Sequence, residues 1–198
     1  MLEFKDKCVI GIDLAASSKN PTGWATLKNK TVKTHLLHTN NEIIENTLQN
    51  HPQLVAIDAP LSLPKKGEFF RKTDKEMMRK GYRVLPPNFR TMKKLTSRAI
   101  RLNKIIEEKT YKTIEVHPTS TRKALQMPPK EWKTIQEILK TLGLKGDIET
   151  RPLATHEIDA VTAALTAVLH LQGQTELIGD DKEGYIILPK KRNWKTLI

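Results

Sequence analysis

KCVIGID at residues 7–13 and LVAID at residues 54–58 decide the fold. Each is a short apolar run rich in β-branched side chains, as expected of a strand buried on both faces, and each stops at an aspartate. An ionised carboxylate beside a buried strand is costly unless it is paired, hydrogen-bonded or bound to a metal. Taken singly, Asp13 or Asp58 reads as an ordinary turn residue. The reading changes if the two strands are neighbours.

The intervening residues make them so. The loop LAASSKNPTG, with Asn20-Pro21 and Gly23 as turn signals, leads into GWATLKN and KTVKTHLLH, which alternate as two strands around a tight turn at residues 28–30. A helix to about Gln49, capped by Asn40 or Asn41, then Pro52, precede LVAID. Three antiparallel strands followed by a crossover to a strand beside the first begin a mixed α/β sheet, not a doubly wound one. Asp13 and Asp58 then close two parallel, adjacent strands at one end, where open α/β sheets usually carry their sites. Two carboxylates a strand spacing apart repel unless a cation sits between them.

Residues 60–90 are punctuated by Pro60, Pro64, Gly67, Gly81, Pro86 and Pro87 around a short helix near 70–80, a long connection beside the site. Over 90–109, Met92, Leu95, Ala99, Leu102 and Ile106 share one helical face, with Arg90, Lys94, Arg98, Arg101 and Lys104 opposite. KTIEV (112–116) is a further strand, and its alternation sets Glu115 on the face opposite Ile114 and Val116; this carboxylate is either solvated, lysine-paired or part of the site. One or two helices fill 119–143 up to Gly143. The last long helix runs from about His156 to Gln172, with Thr155 as N-cap and Gly173 as stop, and the tail forms a hairpin around Asp180–Gly184. His156 and Asp159 share a face of its first turn, where acidic residues also favour the helix dipole.

The chain has 198 residues, 38% hydrophobic and 28% charged, which suits a single globular domain over 1–198. No run approaches the roughly 18 apolar residues needed to span a bilayer. The N-terminal apolar run resembles a signal peptide until Asp13 interrupts it, so it is assigned to a strand. The one cysteine, Cys8, excludes an intramolecular disulfide and a cysteine-based zinc site, and a cytoplasmic location is expected. Thirty-four Lys and Arg against 22 Asp and Glu give +12, an excess that favours a polyanionic partner, nucleic acid first, over a merely solubilising surface.

GIDLAAS with TGWA, VAIDAPLSLP, Arg71-x-x-Asp74 with Arg79, IEVHPTS, HEIDAVTAALTA and EGYIILP together resemble an uncharacterised archaeal and bacterial family of predicted nucleases with the RNase H-like fold, distantly akin to RuvC-type resolvases. The match runs in order along nearly the whole chain. It implies an α/β, five-stranded mixed sheet of order 3-2-1-4-5 with helices on both faces. It also implies that Asp13, Asp58 and Asp159 form one metal site. The sequence departs from resolvases in carrying Asp58 where those commonly have Glu, and His156 where a further carboxylate is expected.

Phosphodiester hydrolysis needs charge neutralisation and an activated water, both supplied by Mg²⁺ or Mn²⁺ on hard oxygen ligands. The expected ligands are Asp13, Asp58 and Asp159, with His156 as proton-transfer or orienting group and Glu115 as auxiliary. Arg71, Arg79, Lys65 and Lys66 are the expected phosphate contacts, and the 90–109 basic stripe is a candidate backbone track. The competing readings are a non-catalytic nucleic-acid-binding protein on this scaffold and, with less support, a phosphotransferase of the sugar-kinase and actin type. The latter lacks its Gly-rich phosphate loops and the length for a second domain.

Overall fold

In the computed structural model, which describes residues 2–198, the two aspartate-ended strands are adjacent: β1 (Cys8–Asp13) and β4 (Leu54–Asp58) pair in parallel from Val9↔Leu54 to Asp13↔Asp58. β2 (Thr22–Lys28) and β3 (Thr31–Leu37) extend the sheet on the other side of β1 as an antiparallel meander. β5 (Thr113–Val116) lies parallel to β4, which completes the expected order 3-2-1-4-5. The sheet is larger than expected, with eight strands. The two-residue β6 (Lys145–Gly146) joins β3, and the C-terminal hairpin, β7 (Thr175–Asp180) and β8 (Gly184–Pro189), docks through β8 onto β5. No helix among the described residues is long and apolar enough to cross a membrane.

Strand alternation divides the interior into two layers. Ile10, Ile12, Val55 and Ile57 meet Ile43 of α1 (Asn40–Gln49) and Ala99, Leu102 and Ile106 of α3 (Arg90–Glu108) on one face. Trp24 belongs to this core, with its indole N–H donating to Thr47 Oγ1 at 3.1 Å. Val9, Ala25, Leu27 and Ala56 meet α7 (Thr155–Leu171) on the other. The shorter helices are α2 (Lys72–Arg79), α4 (Pro118–Ala124), α5 (Trp132–Thr141) and α6 (Asp147–Thr150). The KKRNWK tail is ordered, since Arg192 and Trp194 donate backbone N–H groups to Ala124 and Leu125.

Two caps differ from the sequence reading. Thr39 caps α1, and Glu42 returns to the Thr39 N–H in a capping box, so Asn40 is already helical. At α7 the cap is Ala154, whose N–H is taken by Glu157 Oε2 at 2.8 Å. Glu157 also accepts from Thr34 Oγ1 at 2.7 Å and from both Arg151 guanidinium nitrogens, tying the helix start to β3. Burial alone would raise its pKa, but these hydrogen bonds outweigh it and hold the carboxyl down to about 2. A depressed folded-state pKa gives stability that is full above the ordinary glutamate range and is lost as pH falls towards 2. Glu157→Gln is therefore expected to lower the melting temperature at pH 7 and to flatten its decline between pH 5 and 3, as followed by circular dichroism.

Two glycines let α7 approach the sheet. A Cβ on Gly11 of β1 would overlap the Ala160 backbone, and one on Gly23 of β2 the His156 backbone. Gly23 is thus not a turn residue: it lies in β2 directly opposite Asp13. Its missing side chain brings the first turn of α7 down beside that aspartate. Gly23→Ala is expected to lift this turn and separate His156 from Asp13, seen as altered chemical shifts of the His156 ring.

Candidate active site

Register places Asp13 and Asp58 at the same strand end, and alternation turns both towards the α7 side of the sheet, the side of Val9 and Ala56. Asp159 stands in the second turn of α7 above them. Asp13 and Asp159 keep 16% and 20% side-chain exposure, enough for a small ion to reach carboxylates that are otherwise enclosed. Burial, then the charge of Asp159, pushes Asp13 up to about 6 against the pull of His156. Burial and then the charges of Asp13 and Asp159 push Asp58 well above the usual carboxylate range. Burial also raises Asp159, opposed by Arg122. In three carboxyls crowded in this way, the negative charge on each disfavours charge on the others.

The protein partly relieves this cluster with neighbouring side chains of its own. His156 Nδ1 lies 2.6 Å from Asp13 Oδ2, while the His156 ring remains half exposed. Asp159 is paired with Arg122 of α4. Arg122 is fully buried, donates to Pro129 O at 3.0 Å and Thr119 Oγ1 at 3.3 Å, and stacks 5.2 Å from the Trp132 ring centre. Asp58 forms no side-chain hydrogen bond with any described residue. Among the described residues, no group of three or more His, Cys, Asp and Glu side chains is gathered tightly enough to hold a metal ion. The expected convergence of three aspartates on one point is thus incomplete, because Asp159 turns to Arg122 and Asp13 to His156. The donor set nevertheless fits a hard divalent cation in kind: three carboxylates at one sheet end, one without a protein partner.

Glu115 and Arg71 take a different role from the one expected of them. Glu115 stands opposite Ile57 in register, on the α3 side of the sheet and so on the opposite face from Asp13 and Asp58, although it lines the same cavity and its charge adds to the upward push on Asp58. Its two oxygens accept from Arg71 at 2.6 and 2.7 Å and from the Leu61 N–H at 2.8 Å. Arg71, 1% exposed, also binds Asp74 through Nη2 at 2.8 Å and Ser62 through Nη1 at 3.0 Å. Although Arg71 also lines the cavity beside Asp13 and Asp58, its guanidinium is spent on these partners and fastens the connection after β4 to β5. Glu183 completes this fastening, accepting from the backbone N–H groups of Lys65 and Lys72. Lys65, Lys66 and Arg79 are exposed, as phosphate contacts require. Of the α3 stripe, Arg98 is committed to Asn40 Oδ1, Ala15 O and His38 O at 2.6–2.8 Å; Arg90, Lys94, Arg101 and Lys104 remain exposed.

A cavity of about 950 Å³ opens beside Asp13 and Asp58 beneath the 82–95 segment, with Arg83, Lys123 and Lys130 in its lining. His117 also lines it, and burial followed by the charge of Arg122 lowers its pKa to about 4, so its ring is neutral. Arg122, Arg83 and His117 were missed as site residues from the sequence alone. Only the HPTS turn after the IEV strand, part of the family-like pattern, pointed near them.

Residues 11–184 match the model of a family described as protein of unknown function (DUF429). The chain belongs to this family. No curated protein matches the sequence. Among solved structures, the chain resembles Thermus thermophilus RuvC in complex with a Holliday junction substrate, with TM-score 0.53 and 16% identity over 84% of this chain and 96% of that one. A second Thermus thermophilus RuvC structure matches with TM-score 0.47 and 18% identity over the same shares. The first likeness shows that this DUF429 chain has the RNase H-like fold of RuvC, its central order extended to eight strands.

Proposed function

We propose that this protein is a divalent-metal-dependent nuclease that hydrolyses phosphodiester bonds in nucleic acid. The observation that carries the reading is the group of Asp13, Asp58 and Asp159 at the C-terminal end of parallel strands, with raised carboxyl pKa values and no protein partner for Asp58. The RuvC-like fold and the +12 charge support it.

Asp13, Asp58 and Asp159 would hold Mg²⁺ or Mn²⁺. Such an ion supplies neutralisation of the phosphate charge and activation of water. Asp13 Oδ1 forms no hydrogen bond with a described residue, while Oδ2 accepts from His156. That bond orients the imidazole and leaves Nε2 to take or return a proton at the half-exposed mouth of the site. Arg122 is too buried to touch substrate; it is a positioning residue that fixes Asp159 and offsets one of three negative charges. Lys65, Lys66 and Arg79 would bind flanking phosphates.

The test is a panel of single-stranded, duplex and branched DNA and RNA, incubated with the protein in Mg²⁺, Mn²⁺ or EDTA. Cleavage in either metal and none in EDTA is expected. The Arg122–Asp159 pair favours a second reading, a nucleic-acid-binding protein without turnover, because one carboxylate is already neutralised. That reading requires salt-sensitive binding with no cleavage under any metal, and affinity indifferent to Asp13→Asn.

A further inference from the structure

The cavity next to Asp13 and Asp58 is unlike a phosphate-binding groove. Much of its wall is aliphatic, with Leu14, Val84, Met92, Leu95 and Met127 among the lining residues. Its floor includes His117 and Ser120. The Ser120 backbone N–H donates to His117 Nδ1 at 3.3 Å, and Ser120 Oγ lies 2.7 Å from the same nitrogen. A backbone N–H can only donate, so Nδ1 is the acceptor and the hydrogen of the neutral ring sits on Nε2. No described residue accepts from Nε2. The cavity thus combines a largely aliphatic wall with a donor, His117 Nε2–H, that no described residue uses.

Part of the lining comes from the connection after β4, which supplies exposed Leu85 and Arg83. Leu63, Phe69, Met78, Leu85 and Phe89, all large and exposed, fall within the 60–90 segment. Exposed Lys65, Lys66, Arg79 and Arg83 are interleaved with them. Apolar and cationic side chains interleaved along a segment that also lines the cavity suit a strand whose backbone is charged and whose bases are apolar-faced.

We propose that this cavity receives one unstacked nucleobase of the substrate strand, with His117 Nε2–H donating to a carbonyl or ring nitrogen on its edge. This deepens the nuclease reading by naming how the substrate is held. A base seated there leaves its own phosphate beside Asp13 and Asp58. It selects single-stranded or locally unpaired nucleic acid, because a stacked base cannot enter without leaving its duplex. A free nucleotide offers the same base, so the test separates strand from mononucleotide.

The experiment is done in EDTA, where no cleavage occurs, so that its outcome is independent of catalysis. An oligothymidylate with one central 2-aminopurine is titrated with the protein, beside a strand of equal length whose sugars all lack bases. The 2-aminopurine fluorescence is expected to rise on binding, because the base leaves its stacked neighbours for a wall that is mostly aliphatic, with Tyr82 as the one Phe, Tyr or Trp among the described residues of the lining. The base-free strand should bind about tenfold more weakly, within the range per base found for base contacts in single-strand sites. His117→Asn keeps an acceptor for the Ser120 N–H but removes the imidazole donor, and Val84→Ser with Met92→Ser weakens the wall at half-buried positions. Both variants should lose the fluorescence rise and the preference for bases while binding the base-free strand as wild type does. Equal affinity for the two strands, or a rise unaffected in both variants, overturns the proposal. A nucleoside monophosphate that displaces the probe as tightly as the strand does overturns the strand assignment. Absence of cleavage in the metal panel, with the base preference intact, overturns the nuclease reading alone.

Discussion

Asp58→Asn is expected to abolish metal-dependent cleavage and, in the same protein, to raise the stability of the metal-free fold. The first effect follows from removing a ligand charge at the reacting phosphate; groups that stabilise transition-state charge are typically worth about 10²–10³-fold in rate. The second follows from electrostatics. Asp58 forms no side-chain hydrogen bond with a described residue, lies opposite Asp13 in register and feels the charge of Asp159. Its ionised form is disfavoured in the fold, so a neutral isostere removes repulsion that the unfolded chain does not feel. A melting temperature above that of the wild type at pH 8 in EDTA is the expected sign of relieving such a charge. Most substitutions at enclosed positions destabilise, so a gain here is diagnostic of a site held under charge strain. A melting temperature below wild type, with cleavage retained, contradicts both halves. Adding Mn²⁺ is expected to stabilise the wild type more than the variant, since only the wild type keeps the full donor set.

Arg71→Met is expected to have the largest effect on stability in the chain. The substitution leaves Glu115 and Asp74 buried without their cation, and breaking one side of a buried ion pair typically costs about 3–5 kcal/mol. Thermal unfolding should fall by about 6–20 °C, on the scale of roughly 2–4 °C per kcal/mol for a chain of this size. Adding Glu115→Gln to Arg71→Met should recover part of the loss, because the orphaned carboxylate is then neutral. If Arg71 instead gripped phosphate, the single variant would fold as wild type does and lose affinity for oligonucleotides. The two outcomes are read from one melting curve and one binding curve.

The parts of the molecule legible in the sequence are those set by local pattern. KCVIGID and LVAID each announce a buried strand and a terminal carboxylate, and the single crossover between them forces the strands together. Trp24 in an alternating strand and Gly143 after a helix are equally local signals. Thr39 was legible too, since TNNE carries the capping-box spacing, but the neighbouring asparagines are stronger caps by residue type alone. What escaped depends on contacts distant in sequence. β6 is two residues long and exists only because β3 has a free edge. The terminal hairpin is visible as a hairpin, yet its parallel docking on β5 is not.

At the site, arginine is ordinarily an exposed residue, so nothing local distinguishes Arg71 or Arg122 from the chain's many surface cations. Each is buried because a carboxylate far along the chain meets it: Glu115 for Arg71 and Asp159 for Arg122. Glu115 was correctly placed on its own strand face by alternation, but its pairing required knowing where the connection after β4 folds back. Gly23 reads as a turn residue after Asn20-Pro21, and only the approach of α7 reveals why a side chain is excluded there.

The most direct measurement is a crystal of the wild-type protein soaked in Mn²⁺ and examined for anomalous scattering. A peak bounded by Asp13, Asp58 and Asp159, absent from Asp58→Asn crystals treated in the same way, is the expected result. A well-ordered map with no peak at that sheet end, and the Arg122–Asp159 pair unchanged at saturating Mn²⁺, would contradict the metal-centred account.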